Sequence, residues 1–155
     1  MKILYVCTHN RCRSILCEAI TNAAPGALEA RSAGSQPVGE VHPLSLKYLA
    51  ERGYRTDGLK SQSWDEFEDY APDLVVTVCD SAAGESCPVY FGKSLKVHWG
   101  LEDPSKLEGS DEDKATAFHQ TMNIIEQRVK SLTEVAEQSL STNALKEALT
   151  TLGAQ

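Results

Sequence analysis

Apolar residues gather in four short, partly β-branched runs, Lys2 to Cys7, Leu28 to Ser32, Asp73 to Cys79 and Leu95 to Trp99, each about the length of a strand. Between them apolar positions recur at helical spacing. Ser14 to Ala24 lines up Ile15, Leu16, Ala19, Ile20 and Ala23 and stops at Pro25-Gly26, and Pro43 to Arg52 lines up Leu44, Leu46, Leu49 and Ala50 and stops at Gly53. Alternating strands and helices predict an α/β protein with a four-stranded parallel, doubly wound sheet flanked by helices and right-handed crossovers. Sites in such sheets lie at the carboxyl ends of strands. Cys7, Cys79 and the loop after Trp99 all fall at such ends, so three distant segments are expected to converge on one mouth.

From Asp111 onward, Ala115, Phe118, Met122, Ile125, Val129 and Leu132 make one apolar stripe, which predicts a long helix packed on the sheet with His119 solvated beside the stripe. Asn143 to Leu152 predicts a further short helix capped by Asn143. The segment 141–155 then reads as an appendage to one domain spanning 1–155. Gly53 to Ser63 is a polar connection, and Ser63 to Asp69 (SWDEFED) reads as a short capped helix flanking the mouth.

The 155 residues suffice for one core without a disulfide or metal staple. Five cysteines at irregular spacing do not make a secreted disulfide framework and are expected to be free or catalytic. Neither a signal peptide nor a membrane-length apolar stretch is present, so the expected location is the cytoplasm. Lys plus Arg number 15 against 22 Asp plus Glu, a formal net charge of −7. Nucleic acid and anionic membranes are therefore poor partners. Within this acidic chain His9, Arg11 and Arg13 form a local basic cluster, and an anionic ligand must be held by local donors.

That cluster sits in KILYVCTHNRCRS, where Cys7 and Arg13 are spaced Cys-x5-Arg after a strand and Ser14 opens a helix. A tight strand-to-helix turn points backbone N–H groups into one concavity, and the helix N-terminus adds partial positive charge. The same field favours a thiolate at Cys7, while Arg13 can grip two oxygens of a tetrahedral anion with its planar fork. Asp103-Pro104, after the fourth strand in HWGLEDP, is by itself only a turn signal.

The run resembles the phosphate-binding loop of the low-molecular-weight protein tyrosine phosphatases and of the arsenate reductases that share their fold. Cys7, Asn10, Cys12, Arg13 and Ser14 match the pattern, with Thr8, His9 and Arg11 at its variable positions. The likeness continues through Arg31 to Pro43, Asp73 to Gly92 and His98 to Pro104. It implies a flavodoxin-like strand order 2-1-3-4, Cys7 as nucleophile and Asp103 as the acid that protonates the leaving oxygen. CDSAAGESCPVYFG brings the chain closer to a bacterial reductase subgroup. For such a reductase the resemblance implies a relay: Cys7 attacks arsenic, Cys79 attacks the Cys7 sulfur, and Cys87 exchanges with Cys79 so that an external thiol reductant, thioredoxin or glutaredoxin with glutathione, can regenerate the protein. Arsenate is the implied substrate, phosphate and sulfate its mimics, and no bound cofactor or metal is expected. Gln62 stands near where thioredoxin-linked reductases carry an aspartate, which weakens the inference of a potassium ion held with Asn10, Glu18 and Ser32 and leaves that ion open.

Other readings stay open at this level. A phosphatase hydrolysing phosphate monoesters through a cysteinyl-phosphate would use the same loop and leave Cys79 and Cys87 as core residues, although Cys87-Pro88 in a polar loop is a poor core site. An oxyanion-binding or redox-sensing module would not need a full nucleophile, acid and arginine set. Cys12 reads equally as a disulfide partner of Cys7 or a packing residue, Cys17 as structural, His42 as a helix cap or a chemical group, and His98 with Trp99 as packing at the end of strand four.

Overall fold

A computed structural model describes residues 1–24, 28–78, 94–106, 108–138 and 142–153. Strands β1 (Lys2–Cys7), β2 (Glu29–Gly34), β3 (Leu74–Thr77) and β4 (Leu95–His98) form one parallel sheet in the order β2-β1-β3-β4. This is the expected order. The two inner strands are buried on both faces, which is why Ile3 to Val6 and Leu74 to Val76 read as unbroken apolar runs and not as alternation. Cys7 pairs with Gly34, so the first strand and the second reach their carboxyl ends side by side.

Helices α1 (Arg13–Ala23), α2 (Pro43–Glu51), α3 (Asp111–Glu137) and α4 (Thr142–Gly153) flank the sheet. Ser110 caps α3 in a reciprocal box with Asp113, and the predicted stripe is buried at Phe118, Met122, Ile125, Val129 and Leu132. His119 is half-buried and tied down where free solvation was expected: its Nδ1 accepts a hydrogen bond from Arg52 Nε at 3.0 Å, and its ring meets Tyr48 edge-on. Arg52 also binds Glu126 and Asn123, tying the end of α2 to α3. Helix α4 begins at Thr142, so Asn143 lies within its first turn instead of capping it. Ser63 does cap a short 3-10 turn, Trp64–Phe67. Trp99 is buried at the end of β4, whereas His98 is exposed and bonds Thr77 Oγ1 through its ring at 2.8 Å; alternation along an edge strand puts neighbours on opposite faces. No helix among the described residues is long and apolar enough to cross a membrane.

Candidate active site

The loop from Cys7 to Ser14 joins β1 to α1 at the carboxyl edge of the sheet. Its carbonyls are drawn outward: Thr8 O accepts from Gln36 N at 2.8 Å, His9 O from Val38 N at 3.3 Å and Ser61 Oγ at 3.0 Å, and Arg11 O from His42 N at 2.9 Å. A planar trans peptide sets each C=O opposite the next N–H. The amides of His9, Asn10 and Cys12 therefore face the other way, into the concavity at the start of α1. Asn10 takes the left-handed conformation that closes this turn (φ 47°), a conformation that asparagine tolerates. It is fully buried, donates through Nδ2 to Ser14 Oγ at 2.8 Å and accepts at Oδ1 from Gln62 N at 2.9 Å.

Gly34 explains how the loop and β2 come so close. A Cβ on it would lie 2.6 Å from Thr8 O and 3.0 Å from Cys7 O. Sequence reasoning passed over this glycine, although a glycine closing an apolar run is the usual sign of close backbone approach. Cys7 is buried, as are Asn10, Cys12 and Ser14; Thr8 and Arg11 are half-buried and His9 is exposed.

Arg13 reaches across the mouth. Its Nη1 donates to Leu101 O at 2.9 Å, and Nη2 lies 3.7 Å from Asp103 Oδ2. Its Nε is buried with no hydrogen-bond partner among the described residues, a donor suited to an oxyanion in the loop. Asp103 is held in turn by Ser105, whose N and Oγ donate to Oδ1 at 3.0 and 2.6 Å. Ser105 was not read from the sequence, but Asp-Pro-Ser carries the signature of a turn closed by the aspartate side chain. The fold thus brings Asp103 beside Arg13, at the end of the loop that Cys7 opens. Cys79 and Cys87 lie outside the described residues.

The neighbouring cysteines are buried, and their environment favours the protonated thiol. Burial pushes the Cys12 thiol up to about 12, and drives Cys17 higher still. Both are packing residues ahead of and within α1, and both are free thiols. His42 caps α2, its Nδ1 accepting from Leu44 N at 3.1 Å; burial first, then the Arg11 charge, holds its pKa down and keeps that nitrogen an acceptor.

Asn10, Glu18, Ser32 and Gln62 are linked by hydrogen bonds. Ser32 Oγ donates to Glu18 Oε1 at 2.7 Å, Gln62 Nε2 to Ser32 O at 3.2 Å, and Gln62 N occupies Asn10 Oδ1. Burial also holds the Glu18 carboxyl above its ordinary range.

A parallel α/β sheet whose inner strand ends in a Cys-x5-Arg loop, with an aspartate beside the arginine, is an arrangement suited to holding an oxyanion next to a thiol. The chain belongs to the low molecular weight phosphotyrosine protein phosphatase family, which it matches over residues 2–146. It is 35% identical over 136 residues to an arsenate reductase of Halalkalibacterium halodurans, covering 87% of this chain and 96% of that protein. Among solved structures, an arsenate reductase from Archaeoglobus fulgidus superposes with a TM-score of 0.69 at 32% identity, over 85% of this chain and 98% of that one. A thioredoxin-dependent arsenate reductase of Corynebacterium glutamicum gives 0.67 at 29% identity, over 90% of this chain and 63% of that one.

Proposed function

We propose that the protein reduces arsenate to arsenite in arsenic detoxification, with Cys7 as nucleophile and a thiol–disulfide relay through Cys79 and Cys87. The observation that carries the reading is the Cys7–Arg13–Asp103 constellation in a chain that shares 35% identity over 87% of its length with an arsenate reductase. Arsenate sits in the loop with oxygens on the inward amides and the Arg13 fork. The Cys7 thiolate attacks arsenic while Asp103 protonates the departing oxygen, leaving water and a Cys7–arsenic adduct. Cys79 then attacks the Cys7 sulfur. The sulfur–arsenic bond breaks with its electron pair going to arsenic, which falls from As(V) to As(III), and two thiols become the Cys7–Cys79 disulfide. Cys87 attacks Cys79, releases Cys7 as thiolate and leaves Cys79–Cys87 for an external dithiol to reduce. Register supports Cys79 in this role. Val78 N donates to Val6 O at 3.0 Å, so the chain leaves β3 alongside the strand that carries Cys7. The thioredoxin dependence of the Corynebacterium relative favours thioredoxin as reductant.

The test is arsenate-dependent NADPH oxidation with thioredoxin and thioredoxin reductase, and with glutaredoxin and glutathione, beside hydrolysis of an aryl phosphate. Turnover on arsenate is expected, fastest with thioredoxin. Aryl phosphate hydrolysis with no arsenate reduction in either system would make the protein a phosphatase. Cys79→Ser and Cys87→Ser should each end multiple turnover while sparing slow aryl phosphate hydrolysis. They should stop at different points: without Cys87 one turnover releases arsenite and leaves Cys7–Cys79, and without Cys79 the adduct stalls. Disulfide mapping by mass after one equivalent of arsenate distinguishes the two.

A further inference from the structure

Helix α4 packs on α3 and on β4, burying Leu149 and Leu152. Residues 147–153 lie beyond the family match, which ends at 146, so this contact belongs to a part of the chain that the family pattern does not include. Its polar anchor is Trp99. The indole is 2% exposed, its Nε1 donates to Leu149 O at 2.8 Å, and its ring tilts against Tyr5 with centroids 6.3 Å apart. Trp99 is also the first residue past β4 on the way to Asp103, and the segment that starts there is held at several further points. The Trp99 N–H closes the sheet ladder on Thr77 O at 2.8 Å, after which Gly100 O accepts from Arg128 Nη1 at 3.3 Å, Leu101 N donates to Val78 O at 3.1 Å, and Leu101 O accepts from Arg13 at 2.9 Å. Asp103 follows four residues after Trp99. A rigid ring hydrogen-bonded at its far end sets where that short segment starts, and an acid must sit within hydrogen-bond reach of the oxygen it protonates.

We propose that Trp99 is a positioning residue for Asp103, and that α4 holds it in place through the Leu149 carbonyl. This rests on the reading of Asp103 as the acid for the leaving oxygen. The variants are Trp99→Phe, which keeps the ring packing but removes the N–H, and Leu149→Glu, which undocks α4; Asp103→Asn runs beside them, all in the full chain. The readouts are kcat/KM on phenyl phosphate, whose phenolate needs a proton to leave, kcat/KM on 2,4-dinitrophenyl phosphate, whose leaving group does not, and competitive inhibition by inorganic phosphate. Trp99→Phe is expected to lower kcat/KM on phenyl phosphate about 10- to 100-fold, the scale of a small misplacement. The dinitrophenyl ester and the phosphate inhibition constant should change by no more than about twofold, a pattern that general unfolding or loss of anion binding does not produce. If Asp103→Asn shows this selective loss and Trp99→Phe does not, or loses both esters equally, α4 does not position the acid. If Asp103→Asn itself shows no selectivity, the acid assignment falls and the proposal with it. Should Leu149→Glu fail to fold, Trp99→Phe alone decides.

Discussion

At the scale of single residues the site depends on two kinds of constraint, charge and space. Asp103 Oδ2 lies 3.7 Å from Arg13 Nη2, while its Oδ1 accepts both hydrogen bonds from Ser105. Asp103→Asn should cost about 10²- to 10⁴-fold in the step that expels oxygen while leaving phosphate inhibition nearly unchanged; equal weakening of both would mean that the turn is only structural. Gly34 is the spatial constraint. Gly34→Ala must push either β2 or the loop aside to clear the Thr8 carbonyl, at about 1–3 kcal/mol, and the expected result is a weaker phosphate inhibition constant together with a lower urea midpoint. An unchanged inhibition constant would show that β2 yields and the loop does not. The cysteine and arginine were legible from their spacing alone, and the Asp103-Ser105 turn had a local signature, but the role of Gly34 was hidden because it depends on what a distant segment places beside it.

Among the elements, α2 serves the loop more directly than its position suggests. Proline at the first turn, Gly53 in the left-handed conformation (φ 82°) just past the end and the apolar spacing made this helix readable in the sequence. Its cap does double duty. His42 accepts at Nδ1 from Leu44 N, and its own N–H takes the Arg11 carbonyl and so helps turn the Cys12 amide inward. If capping is the whole role of the side chain, His42→Ala should lose about 1 kcal/mol of stability in urea titration and His42→Asn should recover most of it, with turnover following stability. Equal loss of turnover in both variants, with stability restored in the second, would assign the imidazole a chemical part. The stripe on α3 was equally plain, yet the ties from His119, Asn123 and Glu126 to Arg52 were not, since a polar residue beside an apolar stripe looks solvated until the packed neighbour is known.

For the molecule as a whole, the buried carboxyl of Glu18 links stability to pH. Burial raises its pKa in the fold above the ordinary 4.5, so between that value and the raised one the native chain binds more protons than the unfolded chain. Its contribution to stability is therefore fully present below about 4.5 and is lost as pH rises through the native value. Urea midpoints measured from pH 4 to pH 8 should show wild type losing ground to Glu18→Gln as pH rises, and parallel curves would contradict the buried-acid assignment. Periodicity determined the strands, the helices and the parallel α/β class, because apolar spacing reports which face of an element is covered. The Cys-x5-Arg run after a strand likewise determined a strand-to-helix loop with an arginine at its end, since the thiol, helix terminus and guanidinium are close together in the chain. Only the tertiary structure decided that Arg13 meets Leu101 and Asp103 from 88 and 90 residues away, that Gly34 and Ser61 shape the loop from outside, and that the last helix reaches back to Trp99. Contacts of this kind are products of strand order and packing, in which residues far apart in sequence become neighbours only after the sheet has closed.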